Sequence, residues 1–196
     1  MNINLEKRFT KIYHNNSWNG QQSRSGRGSD LSQTKNIIQF IPKIIKQIGA
    51  NSVLDIPCGD FNYMKNVGIS CNYIGADIVE DIIKDNKNKY PNVDFRHLDI
   101  ISDELPKCDL VICRDCLVHL SLEDCVNAID NIKRSGSKFL LATSFLDCKI
   151  NTQLPSLGWR KLNLEIKPFF LKAIDLFNEG FFKNHNRDKS LILVKI

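Results

Sequence analysis

Three short segments of this 196-residue chain run apolar residues into an aspartate: VLD at 53–55, CNYIGAD ending at Asp77, and FRHLD ending at Asp99. Each reads as the tip of a strand, and ligands of open α/β sheets bind outside such tips, where strand order reverses. The first segment continues through Cys58 and Gly59 into a second acid, Asp60. A dinucleotide loop uses G-x-G-x-x-G so that bare backbone can approach a pyrophosphate at a helix N-terminus. Here Gly59 stands alone. Two carboxylates beside a poorly solvated pyrophosphate would be repulsive by several kcal/mol at an effective dielectric of about 20, which disfavours NAD. A cationic ligand without phosphate reverses the argument. S-adenosylmethionine brings a sulfonium, an ammonium and a ribose, and the acids become assets. Asp77 stands about twenty residues beyond the first strand, where such sheets set an acid against ribose hydroxyls. Asp99 would reach the adenine amino group. Taken singly, an aspartate after a strand is more often a turn or cap residue; three at successive strand tips form a constellation.

The totals exclude several other roles. Hydrophobic residues make up 42% and charged residues 25%, ordinary soluble usage that suffices for one well-buried core and a single domain over 1–196. MNINLEKRF has no apolar h-region, and no run reaches the roughly 18 apolar residues of a membrane span. The expectation is a soluble, cytoplasmic protein without membrane insertion. Seven cysteines without paired spacing suit reduced thiols. Cys113 and Cys116 form a CxxC, but no second Cys or His pair completes a zinc site, so no metal is expected. Net charge is +5, with lysines spread among acids and not gathered in a stripe, so nucleic acid is not indicated.

Periodicity gives the elements that would carry these residues. Residues 20–30, GQQSRSGRGSD, are polar, glycine-rich and aperiodic, hence a loop. Asp30 or Ser29 can cap the helix that follows, in which Ile37, Ile38, Ile41, Ile44, Ile45 and Ile48 recur at helical spacing before Gly49. Pro42 should kink or divide it. Short apolar strands at 52–56, 72–77, 93–98, 109–113 and 138–144 alternate with helical or polar stretches, the signature of βαβ units. Ser121 and Asp124 in SLED make a modest capping box for a helix with Leu122, Val126, Ile129 and Ile132, ending near Gly136. In the tail, WRKLNLEI and SLILVKI read as two more strands, joined by a segment with Pro168, Phe169 and a candidate helix, LKAIDLFNE. The predicted fold is α/β, a doubly wound and mainly parallel sheet with an antiparallel strand pair at the C-terminal edge.

Together these segments resemble the class I S-adenosylmethionine-dependent methyltransferases, which have a Rossmann-like fold. VLDIPCGDFNYM looks like their first motif, YIGADIV their second, FRHLDI their third, DLVICRDCLVHLS their fourth and KFLLATSF their fifth. WNGQQSRSGRGSDLSQT upstream, with WRKLNLEIKPF and NE downstream, is similar to a subgroup common in polysaccharide and glycan biosynthesis, including glycan pathways of large viruses. The resemblance implies that Asp55, Cys58 and Gly59 line the methionine end of the cofactor, that Asp77 and Ile78 hold the ribose, and that Asp99 and Ile100 frame the adenine. Arg114 would touch the cofactor through its backbone. Residues 1–30 would act as a lid, with Arg24 pairing the methionine carboxylate, Trp18 packing on the ligand, and Ser25 and Gly26 completing the contact. The family pattern has glycine where this chain has Pro57 and Phe61, a departure that bears on the path of the loop.

The implied reaction needs a positioned acceptor more than an activated one, because a sulfonium is already a good electrophile. A sugar hydroxyl is nevertheless a poor nucleophile while it keeps its proton, and a base adds about a hundredfold or more. His119 and Asp115 in RDCLVHLS follow the fourth strand and would share one side of a helical turn. His119 is the candidate base; Asp115 would orient it or touch the acceptor. A satisfied structural histidine and a cap carboxylate are the competing explanations. Pro57-Cys58 resembles a cytosine-methylating nucleophile pair but follows the wrong strand. His97 reads as packing, His14 and His185 have no catalytic support, and Glu165, Pro168, Phe169, Asn178 and Glu179 are candidates for shaping the acceptor pocket. The expected partner is a small-molecule or glycan acceptor. The rivals are N-methylation of an amino sugar or small amine, and a non-catalytic scaffold that kept the fold. Acceptor identity and oligomeric state are not legible at this level.

Overall fold

The computed structural model describes residues 3–154, 158–180 and 186–196. Its centre is a seven-stranded sheet in the order β3-β2-β1-β4-β5-β7-β6. The strands are β1 (Ser52–Asp55), β2 (Asn72–Asp77), β3 (Asp94–His97), β4 (Leu110–Cys113), β5 (Phe139–Phe145), β6 (Ala173–Asn178) and β7 (Lys189–Lys195). The first five are mutually parallel; β7 runs antiparallel to both β5 and β6. This is the Rossmann-like arrangement with an antiparallel edge pair expected from the sequence. Strand order reverses between β1 and β4, which puts the crevice outside their carboxyl ends.

Both faces of the sheet are covered. Val53, Leu110, Ile112 and Leu141 pack against Ile37, Ile41, Ile44 and Ile45 of α2 (Leu31–Gln47). Leu54, Ala76, Val111 and Leu140 pack against Ala128, Ile129 and Ile132 of α4 (Leu122–Arg134) on the other side. Burial of alternate strand residues on opposite faces is what the two-residue period demands. Ser121 caps α4, with its Oγ accepting the Asp124 N–H at 3.0 Å and donating to the Asp124 carboxylate at 2.7 Å. Gly136 (φ 72°) turns the chain just past the helix end, in the left-handed region that favours glycine.

Three expectations need correction. Pro42 does not divide α2, which runs on through it; the lost intrahelical bond costs about 3 kcal/mol, offset by the four isoleucines buried along that helix. LKAIDLFNE is not a helix but contains strand β6. Its outward positions carry Ile174 and Leu176, 58% and 47% exposed, so the hydropathy alternation of a strand is erased. WRKLNLEI forms no ladder. Its alternation is real, since Leu162 and Leu164 are fully buried, but the place beside β5 belongs to β7. The backbone instead makes isolated bonds: Phe145 N–H to Leu162 O at 2.7 Å, and Leu164 N–H to Ser144 Oγ at 3.0 Å.

An element absent from the sequence expectation is α1 (Ile3–His14). Leu5, Phe9 and Tyr13 recur every four residues, and this stripe faces the body: Tyr13 packs with Val79 and Ile82 beside α3 (Glu80–Lys89). Tyr13 Oη donates to Asp85 at 2.9 Å and His14 Nε2 lies 2.9 Å from Asp81, so α1 is tied to α3.

Candidate active site

The crevice spans the tips of β1, β2, β3 and β4, and its non-atom space, counted to the solvent-open mouth, is about 950 Å³. Asp77, Ile78, Asp99, Ile100, Cys58 and Gly59 all line it. Asp77 accepts the Gly59 N–H at 3.1 Å and the Val79 N–H at 2.9 Å. Burial pushes its pKa up to about 6 against the pull of those bonds. An ionised carboxylate offers about four lone-pair sites; two are used here, which suits a vicinal diol such as ribose. Asp99 accepts the Ile101 N–H and the Ser102 hydroxyl, each at 2.9 Å, so it orders its own turn while lining the wall.

Asp55 does not line the crevice. It is buried behind the loop, with Oδ2 accepting from Tyr73 Oη at 2.7 Å and Oδ1 without a hydrogen-bond partner. Burial pushes its carboxyl up to about 7. The loop in front takes an unusual path for its residue types. Phe61, at a family glycine position, has φ 59°. Holding a bulky residue in the left-handed region costs about 1–2 kcal/mol. Its ring is buried against Tyr73, Tyr90 and Phe95 at centroid separations of 5.4, 5.2 and 5.3 Å, and each such pair adds about 0.5–1.5 kcal/mol beyond area burial.

The segment before α2 folds down over this loop, and Asp60 is its clamp. Asp60 accepts from Ser23 Oγ at 2.8 Å and from the Arg24 N–H at 2.9 Å, while its own N–H donates to Ser25 Oγ at 2.9 Å. A Cβ on Gly59 would run into Ser25 Oγ, so the single glycine of the motif makes room for this strap. Asp30 serves the strap too. Its side chain does not cap α2; it accepts the Gln21 and Gln22 N–H groups at 3.3 and 3.0 Å, and Gln22 Oε1 takes the first helical N–H, of Leu31, at 2.8 Å. Trp18, Arg24 and Ser25 line the crevice. Gly26 does not; it has φ 100° and lies against the Trp18 side chain. The Arg24 guanidinium sits 5.9 Å over the Tyr13 ring.

At the opposite end, Arg114, Asp115 and His119 line the wall. Arg114 engages through its side chain, making a two-pronged pair with Glu179 at 2.8 and 3.3 Å and lying 5.3 Å over Tyr63. Asp115 has φ 53°, and its Oδ2 is 2.6 Å from Lys189 Nζ and 3.5 Å from Arg114. Lys189 also reaches Glu179 at 3.1 Å. Although burial opposes it, the Lys189 and Arg114 charges hold the Asp115 carboxyl far below the usual range. His119 lies on a one-turn 3-10 helix, Leu117–His119. Its Nδ1 is 2.7 Å from the Gly158 carbonyl, which can only accept, so Nδ1 carries the proton and Nε2 the lone pair. Burial lowers its pKa, keeping the ring neutral near pH 7. The group that orients His119 is therefore the Gly158 carbonyl and not Asp115.

Several wall residues escaped the sequence reading: Leu5, Phe9 and Tyr13 of α1, and Tyr63. The four-residue spacing of the α1 trio was the available signal. None of Glu165, Pro168, Phe169, Asn178 and Glu179 lines the crevice; Glu179 acts through Arg114 and Lys189, while Asn178 bridges Gly180 N–H and Arg187 O. His97 bonds the Ile78 carbonyl at 2.9 Å, and His185 lies outside the described residues. Cys116 lines the wall beside Cys113, and among the described residues no group of three or more side chains is placed to hold a metal ion.

Residues 53–136 match the family model described as "Methyltransferase domain". A provisional methyltransferase of Invertebrate iridescent virus 6, 235L, is 28% identical over 145 residues, or 71% of this chain; the match spans about half of that relative, 53%. Among solved structures, magnesium protoporphyrin IX methyltransferase from Synechocystis PCC 6803 with bound SAM is similar at TM-score 0.68 and 13% identity, covering 97% of this chain and 94% of that one. The N-methyltransferase NodS from Bradyrhizobium japonicum WM9, in complex with S-adenosyl-L-homocysteine, gives TM-score 0.66 and 12% identity, covering 94% and 97%. Human N-acetylserotonin methyltransferase in complex with SAM gives 0.65 and 15%, covering 95% and 58%. Residues 53–136 thus match a methyltransferase domain, and the whole chain shares the Rossmann-like fold of these solved structures.

Proposed function

We propose that this protein is an S-adenosylmethionine-dependent methyltransferase whose acceptor is a small molecule bearing a sugar-type hydroxyl, with His119 as the base. One observation carries the reading. A single crevice has, at one end, a buried carboxylate suited to a ribose and, at the other, a neutral imidazole with its proton parked on the Gly158 carbonyl side. Bound there, S-adenosylmethionine would supply an activated methyl group on a sulfonium.

The chain's own residues do the rest. Asp77 accepts from the ribose hydroxyls, Ile78 and Ile100 enclose the adenine beside Asp99, and Arg24 meets the methionine carboxylate with a charge-assisted bond. Cys58, Gly59 and Ser25 close the methionine end. His119 takes the acceptor's proton on Nε2, and the anionic Asp115 stabilises the imidazolium that results. The sugar assignment rests on the flanking segments that resemble glycan-pathway enzymes. A second reading rests on the same neutral imidazole, which would equally take a proton from an amine acceptor. Structural neighbours are named for porphyrin and amine chemistry, so the fold alone does not choose.

Calorimetric titration with S-adenosylmethionine tests the cofactor, and absence of heat would favour the scaffold reading. His119→Ala is expected to leave cofactor affinity within about twofold and to lower turnover roughly a hundredfold. Equal turnover would remove His119 from the mechanism. Mass spectrometry of a sugar and amino-sugar panel, seeking the mass gain of one methyl group, separates the two acceptors.

A further inference from the structure

Trp18 does not simply pack toward the cofactor. Its indole is stacked on the His119 imidazole, with centroids 4.8 Å apart and planes inclined by 29°. Phe9 of α1 supports the indole from another side at 6.1 Å. Gly26 lies so close that an added Cβ would fall 2.9 Å from Trp18 Cβ, so the strap is built to hold this side chain in place. His119 is thereby held by three contacts of different kinds: the Gly158 carbonyl on Nδ1, the indole on its face, and its own short helical turn. The strap that carries Trp18 is also the one clamped to the cofactor loop through Ser23, Arg24 and Ser25 on Asp60.

We propose that Trp18 is the positioning residue of His119, and that the strap makes assembly of the base depend on the Asp60 clamp at the cofactor loop. This rests on the methyltransferase reading of the same crevice. A base that is aligned only while the strap is down would be correctly placed only after the cofactor loop is covered, favouring cofactor before acceptor. The charged and polar groups around His119 are Arg8 of α1, Asp115 after β4, Lys189 of β7 and the Gly158 carbonyl. Burial, joined by the Arg8 and Lys189 charges, outweighs the Gly158 carbonyl and Asp115, and Trp18 supplies part of that burial.

The test follows the His119 ring proton resonances by NMR against pH in the wild type and in Trp18→Ala, Trp18→Phe and Asp60→Ala. Trp18→Ala is expected to move the His119 titration upward, toward its ordinary value, and to lower kcat by roughly tenfold to a hundredfold. Trp18→Phe should restore most of both. Asp60→Ala should shift the His119 titration in the same direction, although its contacts lie on the cofactor loop, and a purely local role of Trp18 would not produce that. An unmoved His119 titration in Trp18→Ala, in protein that still binds S-adenosylmethionine, overturns the inference. Loss of binding in the wild type would instead overturn the methyltransferase reading.

Discussion

At the cofactor end of the crevice, Asp77 takes its hydrogen bonds from the main chain of Gly59 and Val79, 18 and 2 residues away; at the acceptor end, Asp115 pairs with Lys189, 74 residues away. The two carboxylates are tuned in opposite directions. Asp77 is buried, and its backbone donors and His97 only partly offset that burial, so its pKa rises to about 6. Asp115 belongs to a cluster with Arg114, Glu179 and Lys189, two cations and two anions, and stays ionised. The cofactor end is therefore a place that gains from an incoming hydrogen-bond donor or cation. The acceptor end is internally neutralised and acts as part of the fold. Substitutions at the first should show in binding, and at the second in stability.

The largest expected effect breaks the acceptor end. Glu179 is fully buried at its side chain, and Glu179→Ala would remove the carboxylate that Arg114 and Lys189 both pair with. Removing one partner of a buried pair costs about 3–5 kcal/mol, because the remaining charge is uncompensated. Urea unfolding at neutral pH measures it, and a loss under about 1 kcal/mol would mean the cluster is hydrated and does not hold the β6–β7 edge. A smaller effect marks the cofactor end. Asp77→Ala should weaken S-adenosylmethionine by about 2–3 kcal/mol, roughly 30- to 150-fold in Kd, the loss of charged hydrogen bonds to the ribose. Its unfolding free energy without cofactor should fall less than that of Glu179→Ala. The reverse ranking would erase the distinction between the two ends.

The same contrast explains what was legible in the sequence. Strand tips, the Ser121 cap and the turn at Asp99 are made by residues 2 or 3 apart, so residue type and spacing already contain them. The cluster at the other end closes over 65 and 74 residues, and no local pattern says that Glu179 and Lys189 will meet the chain after β4. Asp115 and His119 could be nominated from their place after a strand, but the Gly158 carbonyl and the Trp18 ring that define His119 come from 39 residues after it and from the strap. Asp60 shows the middle case. Its acidity stood out beside Gly59, and its purpose, clamping Ser23 and Arg24, required the strap to be seen folded back. β6 was hidden for a different reason: with Ile174 and Leu176 facing solvent, its composition no longer alternates.

Asp55 sharpens the comparison from behind the loop, since it is less well satisfied than Asp77: one oxygen bonds Tyr73 and the other has no hydrogen-bond partner. Its pKa is raised to about 7, chiefly by burial. The unfolded chain ionises this group near pH 4, so between about pH 4 and 7 the folded state binds more protons than the unfolded state. Stability from the protonated group is complete below the unfolded value and is lost as pH rises through the folded one. Asp55→Asn keeps an acceptor for the Tyr73 hydroxyl and cannot ionise. Relative to the wild type, the variant should therefore gain about 2 kcal/mol in unfolding free energy between about pH 5 and pH 7.5. Taking the difference between the two proteins cancels His119, whose lowered pKa has the opposite pH slope. A flat difference would mean that Asp55 is ionised in the folded protein and has found a counter-charge, which would make it resemble Asp115 and end the division of the crevice into a locally and a remotely compensated half.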